Sequence, residues 1–143
     1  MKRLVLLAAI LSAFGCQSPP KKGTFDGVGL WEEKGPNVEA VTLRNADGTM
    51  KRKEIRRFDY SKDPARFDSQ WRWSIRGDDY RITLLEMSGE AWEKDIGKTW
   101  NLKVLSLNEN VFGYLSSDGA VVEEKRVGSA SNDAFNEARL TGL

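Results

Sequence analysis

The sequence contains no histidine and a single cysteine, and these absences exclude much common chemistry. Without histidine there is no Ser-His or Cys-His nucleophile pair, no histidine-based zinc site and no unperturbed side chain that titrates near neutral pH. A lone cysteine cannot form an intramolecular disulfide, so the fold depends on packing for its stability. The formal net charge of +1 gives no indication of a nucleic-acid-binding protein. We therefore predict a non-catalytic protein with no cofactor, no metal site and no nucleic-acid partner.

The N-terminal segment has the pattern of an export signal. Lys2 and Arg3 are followed by an apolar run of eleven residues at 4–14, which Gly15 and Cys16 close. A helix needs about 20 residues to cross the hydrocarbon core of a membrane, so this run is too short for a permanent span. It predicts a secretory signal peptide.

The segment Leu11-Ser12-Ala13-Phe14-Gly15-Cys16 resembles the lipobox of bacterial lipoproteins, in which the signal peptidase cuts before a cysteine that carries lipid. The resemblance implies a signal peptide at 1–15 and attachment of lipid, including palmitate, to Cys16. The polar, proline-rich residues after Cys16 predict a flexible tether, so that 16–24 form anchor and tether together. Gln17, where an aspartate would retain a Gram-negative lipoprotein at the inner membrane, implies the outer membrane with the domain facing the periplasm. The alternative is an ordinary secretory peptide that leaves Cys16 as a free thiol.

From residue 25 onward the apolar residues recur with a period near two, which predicts strands joined by short turns. Asp47-Gly48 is a strong hairpin signal, because glycine accepts the positive φ that such turns require. In the run at 99–107 the apolar phase switches, which predicts either a bulge or a strand buried on both sides near Val104. The predicted strands cover 27–33, 38–43, 49–57, 69–75, 80–87, 99–107, 111–116 and 120–127.

Eight consecutive antiparallel strands predict an all-β fold, an up-and-down barrel over 25–128, because closure removes both sheet edges. A two-sheet β-sandwich is the alternative. The tail at 129–143 contains candidate N-cap residues at 131–133 and a predicted short helix within 134–140. Phe135 and Leu140 of that helix are available to dock on the barrel.

Several short segments resemble small bacterial lipocalin-like domains of the calycin type: 27–31, 45–49, 71–78 and 125–127. The resemblance implies an eight-stranded up-and-down barrel in which a ligand cavity at the mouth is one option. It also implies that Gly29 and Trp31 form the barrel floor and that Arg126 stacks on the indole of Trp31.

Four aromatic residues on the predicted apolar faces are candidates for binding a small apolar ligand: Trp71, Trp73, Tyr80 and Trp100. The alternative is that they fill the interior, since an eight-stranded barrel is only just wide enough for its own side chains.

The run at 51–57 carries five basic residues around one glutamate, and an irregular stretch rich in aromatic residues follows at 58–67. Together they predict a contact surface for lipid phosphates or an acidic partner. The alternatives are a solvated edge strand and aromatic residues that cover one barrel end. The candidate contact residues are Lys51, Arg52, Arg56, Arg57, Phe58, Tyr60 and Phe67.

Two functional hypotheses follow for a lipid-anchored envelope protein. In the first, the barrel binds a small apolar ligand or an envelope component without turning it over. In the second, the basic strand and aromatic loop bind an envelope protein and inhibit it, block it or help to assemble it. A hydrolase built on carboxylates alone is disfavoured, because adjacent acidic residues such as Glu123 and Glu124 point to opposite faces of a strand.

Overall fold

The computed structural model describes residues 25–141, which form a closed antiparallel barrel. Each strand pairs with the next, and the last pairs with the first, so the up-and-down barrel is confirmed and the sandwich alternative is excluded. Cys16, the predicted signal peptide and the tether lie outside the described residues. The strands are β1 Gly29–Lys34, β2 Val38–Arg44, β3 Thr49–Arg56, β4 Ala65–Arg76, β5 Asp79–Met87, β6 Thr99–Leu107, β7 Val111–Leu115 and β8 Val121–Gly128.

The largest difference from the predicted boundaries is in β4, which begins at Ala65 rather than at Ser69. Its first residues pair with the end of β3, with Glu54 opposite Phe67 and Arg56 opposite Ala65. This pairing satisfies backbone groups that a loop would leave to water. The irregular stretch predicted at 58–67 is therefore shorter, and Phe67 belongs to a strand.

The bulge predicted near Val104 is present in β6. The register with β7 shifts between Val104 and Ser106, so that Leu105 points outward while Leu107 packs against the interior. An extra residue in one strand reverses the side-chain phase. The sequence pattern and the register therefore agree on this position.

One end of the barrel is packed with aromatic residues. Trp31 is fully buried and makes edge contacts with Phe25 and Phe112, at ring-centroid distances of 5.8 and 6.1 Å. The guanidinium carbon of Arg126 lies 5.3 Å from the centroid of the Phe25 ring. The aromatic ring beneath Arg126 is thus that of Phe25 and not the Trp31 indole that the family resemblance implied. The described part of the chain therefore begins, with Phe25, at this closed end.

A short helix, α1 (Asn132–Glu137), covers an apolar patch on the outside of the barrel. Ser131 is its N-cap and accepts a hydrogen bond from the Ala134 amide at 3.2 Å. Phe135 and Leu140 pack against a cluster formed by Leu30, Val41 and Leu43, as predicted. In the described part of the chain, no helix has the length and apolar character needed to span a membrane.

Candidate functional site

The barrel contains a cavity of about 340 Å³ that opens at the end opposite Phe25. Its mouth lies between the β3–β4 loop, a 3₁₀ helix (Glu90–Asp95) and the β7–β8 turn, which contribute Phe58, Trp92 and Ser117. The volume is at the lower end of the range of roughly 300–1,000 Å³ that is typical of ligand pockets. The cavity has room for one small ligand.

Strands β4, β5 and β6 give the cavity an apolar wall. Trp71 and Trp100 make an edge contact with their ring centroids 5.7 Å apart, and the Trp71 indole N–H donates to Ser69 Oγ at 2.8 Å. Leu84 and Leu102 lie in the same wall, because alternate residues of each strand face inward. This half of the cavity offers aromatic and aliphatic surface to a ligand.

Strands β1, β2, β3 and β8 give the opposite side a charged lining held together by ion pairs. Arg44 Nη1 donates to Glu124 Oε2 at 2.6 Å, and both side chains are buried. Arg52 binds three carboxylates, at 2.5 Å to Glu33, 2.8 Å to Glu54 and 3.3 Å to Glu124. No buried side-chain nitrogen or oxygen of the described residues lacks a hydrogen-bond partner. The polar half of the cavity is a connected network and not a set of free charges.

The surroundings of the network shift the pKa values of Arg44, Glu54 and Tyr80. Burial alone would lower the pKa of Arg44, but the charge and hydrogen bond of Glu124, together with Tyr80 and Tyr114, outweigh it and the net shift is upward. Burial also opposes the charge of Glu54, yet the guanidinium groups of Arg52 and Arg56 hold the pKa of that carboxyl below its ordinary value. Burial raises the pKa of Tyr80, whose hydroxyl accepts from Arg44 Nη2 at 2.9 Å. At neutral pH the carboxyl of Glu54 is therefore ionised, Arg44 is cationic and the phenol is neutral.

Aromatic side chains continue from the cavity to the surface at its mouth. Phe58 stacks on Tyr60 at 5.2 Å between ring centroids, and Phe67 makes edge contacts with Phe58 and Trp92. Tyr60, at the tip, is 85% exposed. An apolar ligand would thus meet aromatic surface before it enters the barrel.

The structure brings together most of the residues predicted to bind ligand. Trp71, Tyr80 and Trp100 all line the cavity. Trp73 lies towards the closed end instead, where its indole N–H donates to the carbonyl oxygens of Asn45 and Thr49 at 3.2 and 3.0 Å.

The residues predicted to contact a partner do not form one surface. Arg52 and Arg56 point into the barrel, whereas Lys51 points outward and donates to Asn132 of α1 at 3.1 Å. Arg57 is exposed where the β3–β4 loop begins, and Phe58, Tyr60 and Phe67 form the aromatic series at the mouth. The edge-strand alternative for the basic run does not hold, because β3 pairs with strands on both sides.

Sequence reasoning missed Arg44, Glu33, Glu54 and Glu124 as interior residues. A signal was present in β3, where Arg52 and Glu54 share the phase of the apolar Met50. The position of a charged residue in the strand alternation does not show whether it is buried or faces solvent. Burial depends on ion-pair partners, and these come from other strands.

Compared with models of protein families, with curated proteins and with solved structures, the chain gives no match. Within residues 25–141 no cluster of three or more cysteine or acidic side chains is arranged to hold a metal ion.

Proposed function

We propose that the protein is a non-catalytic, lipid-anchored lipoprotein of the bacterial envelope, related to lipocalin-like domains, whose barrel binds a small apolar or amphiphilic ligand. The observation that carries the binding proposal is the open cavity of about 340 Å³ between an aromatic wall and a paired ionic network. A barrel filled by its own side chains would have left no such space. Because hydrogen bonds and ring contacts fix the walls, the binding surface is largely preformed, which lowers the entropic cost of binding.

Isothermal titration calorimetry with ten-carbon probes tests this proposal. The titrated protein is the full chain carrying Cys16→Ser, with 1-decanol, 1-monodecanoylglycerol and decanoate as separate ligands. We expect saturable one-to-one binding of at least one probe. Trp71→Ala should weaken it by up to about tenfold, since an aromatic contact is worth about 0.5–1.5 kcal/mol and about 1.4 kcal/mol corresponds to a factor of ten. Trp73→Ala, two residues along the same strand and outside the cavity, should leave the affinity unchanged. Absence of binding for all three probes would contradict the proposal.

The anchor and its consequences rest on the lipobox resemblance at Cys16. The described chain starts at Phe25 at the closed end of the barrel, and the cavity opens at the other end. A tether attached at the closed end favours an orientation in which the mouth points away from the membrane that holds the anchor. If the anchor lies in the outer membrane and the barrel in the periplasm, the cavity opens towards the periplasmic solution.

A second candidate function is the binding of an envelope protein through the aromatic residues at the mouth. The observation in its favour is the exposure of Tyr60, which stacks on Phe58 and leaves an aromatic tip in solvent. Exposed aromatic residues are enriched among the residues that dominate protein interfaces. Tyr60→Ser should reduce recovery of the partner in a pull-down while leaving binding of the ten-carbon probes intact.

A further inference from the structure

The charges around the cavity are balanced within the protein. The charged residues of the wall, with Glu124 behind it, are three guanidinium groups and three carboxylates joined by ion pairs. Arg56 sits at the rim with its side chain 45% exposed, while the five other groups are almost fully enclosed. The enclosed part therefore has two positive and three negative charges. It has no surplus positive charge for an anion.

Of the two enclosed cations, Arg52 is the more accessible to a negatively charged head group, because Arg44 is more deeply buried. Arg52 already contacts three carboxylates, and two of them, Glu33 and Glu124, are register neighbours on β1 and β8. An anion at Arg52 would displace one carboxylate and place like charges together in a desolvated space. Leaving a buried charge without its partner is strongly unfavourable.

Arg56 at the rim offers little compensation. Its Nε binds Glu54 Oε1 at 3.3 Å, and its charge also acts on Asp118 in the β7–β8 turn. An ion pair formed in this partly solvated position contributes little to affinity. The opposite wall, with Trp71, Trp100 and Leu102, favours an alkyl chain.

We propose that the cavity selects an uncharged amphiphile, a single alkyl chain with a hydroxyl or ester head group, and discriminates against the same chain carrying a carboxylate. This inference rests on the proposed ligand-binding function and defines the chemical class of its ligand. The alkyl chain lies along the β4–β6 wall, and the head group reaches the mouth near Ser117.

The test compares 1-decanol, decanoate and decyltrimethylammonium by calorimetry at about pH 8, where an alkyl carboxylate is ionised. The protein is again the full chain with Cys16→Ser. We expect decanol to bind at least about tenfold more tightly than decanoate. Equal or tighter binding of decanoate would overturn the inference and leave the binding function standing. Tighter binding of the trimethylammonium probe would also overturn it, because the carboxylates would then be the recognition groups.

A pair of neighbouring variants isolates the role of the interior carboxylates. Glu33→Gln removes one carboxylate from Arg52, and we expect the affinity for decanoate to rise by about fivefold with little change for decanol. Glu32→Gln is the matched control, because Glu32 is the preceding residue of β1 and pairs with Lys34 at 3.2 Å on the outside. A decanoate affinity that is unchanged in Glu33→Gln, with thermal unfolding confirming the fold, would contradict the proposed basis of selection.

Discussion

At the scale of single residues, Arg44 and Glu124 are two charges whose removal from water is costly. Each charge is compensated by the other. Both side chains are buried, and Arg44 also donates to the hydroxyl of Tyr80. Removing either charge alone would leave its partner desolvated. Breaking the pair therefore destabilises the folded state, even though replacing both residues together by apolar ones can be neutral or stabilising.

Glu124→Gln should accordingly lower the free energy of unfolding by about 3–5 kcal/mol, because the guanidinium of Arg44 stays buried and charged without its carboxylate. Urea denaturation followed by circular dichroism measures the change. Glu123→Gln is the control, since Glu123 precedes it on β8 and is exposed. Equal stability of the two variants would mean that the ion pair does not hold the barrel interior together.

The burial of the interior charged residues could not be predicted from the sequence, whereas the inward direction of Trp71 could. The alternation in β4 correctly indicated that Trp71 faces inward, because apolar and polar residues alternate there. In β3 both faces carry charged residues, and Arg52 differs from Lys51 only by phase. What buries Arg52 is the presence of Glu33 on β1 and Glu124 on β8, which barrel closure brings together.

At the scale of elements, β3 contributes side chains both to the ionic network inside the barrel and to the contact with α1 on its outside. Its inward residues join the cavity network, while Lys53 on the outside lies 4.8 Å from the Phe135 ring and donates to the Phe135 carbonyl oxygen at 2.5 Å. The basic run is therefore divided between an ionic interior and a helix contact. Helix α1 has only six residues, too few to be stable alone, so its order depends on this docking.

Phe135→Ala should lower the free energy of unfolding by about 1–2 kcal/mol, because Phe135 is half-buried against the outer apolar patch. The barrel should remain closed, since its strand pairing does not involve α1. Chemical denaturation gives the loss, and Asn136→Ala on the exposed face of the same helix is the control. A loss no greater than that of the control would show that α1 adds nothing to stability.

The elements were the most predictable part of the molecule. Five of the seven connections between the strands are short turns with glycine, proline or asparagine. Consecutive antiparallel pairing follows because even the longer loops at 57–64 and 88–98 are too short for a crossover. The start of β4 was missed although Pro64 directly precedes it, because the clear alternation of apolar and polar residues begins only at Ser69. The cavity was left open as an alternative to a filled barrel, because its volume depends on how Trp71 and Trp100 orient against each other.

At the scale of the whole molecule, the barrel is amphipathic across its interior and polarised along its axis. One half of the cavity wall is aromatic and aliphatic and the other is ionic, while one end is packed and the other open. The polarity along the axis is linked to the N-terminus, because Phe25 belongs to the packed end. An anchor at Cys16 would therefore fix which end of the barrel lies nearer to the membrane.

This arrangement predicts that a fluorescent dye is quenched to a different extent at the two ends of the barrel when the acylated protein is bound to vesicles. If lipid occupies Cys16, an introduced cysteine is the one reactive thiol, since the sequence has no other. Glu109→Cys labels a turn at the closed end, and Tyr60→Cys labels the mouth. Lipids with quenching head groups should quench the dye at residue 109 more strongly than the dye at residue 60.

Cys16→Ser provides the control for this experiment, because without an acyl anchor both labelled proteins should leave the vesicle fraction and lose the quenching. Stronger quenching at residue 60 than at residue 109 would mean that the mouth faces the bilayer. A ligand could then pass directly between the membrane and the cavity. The expected result instead places the opening in the aqueous phase, where the ligand arrives from solution or from a partner.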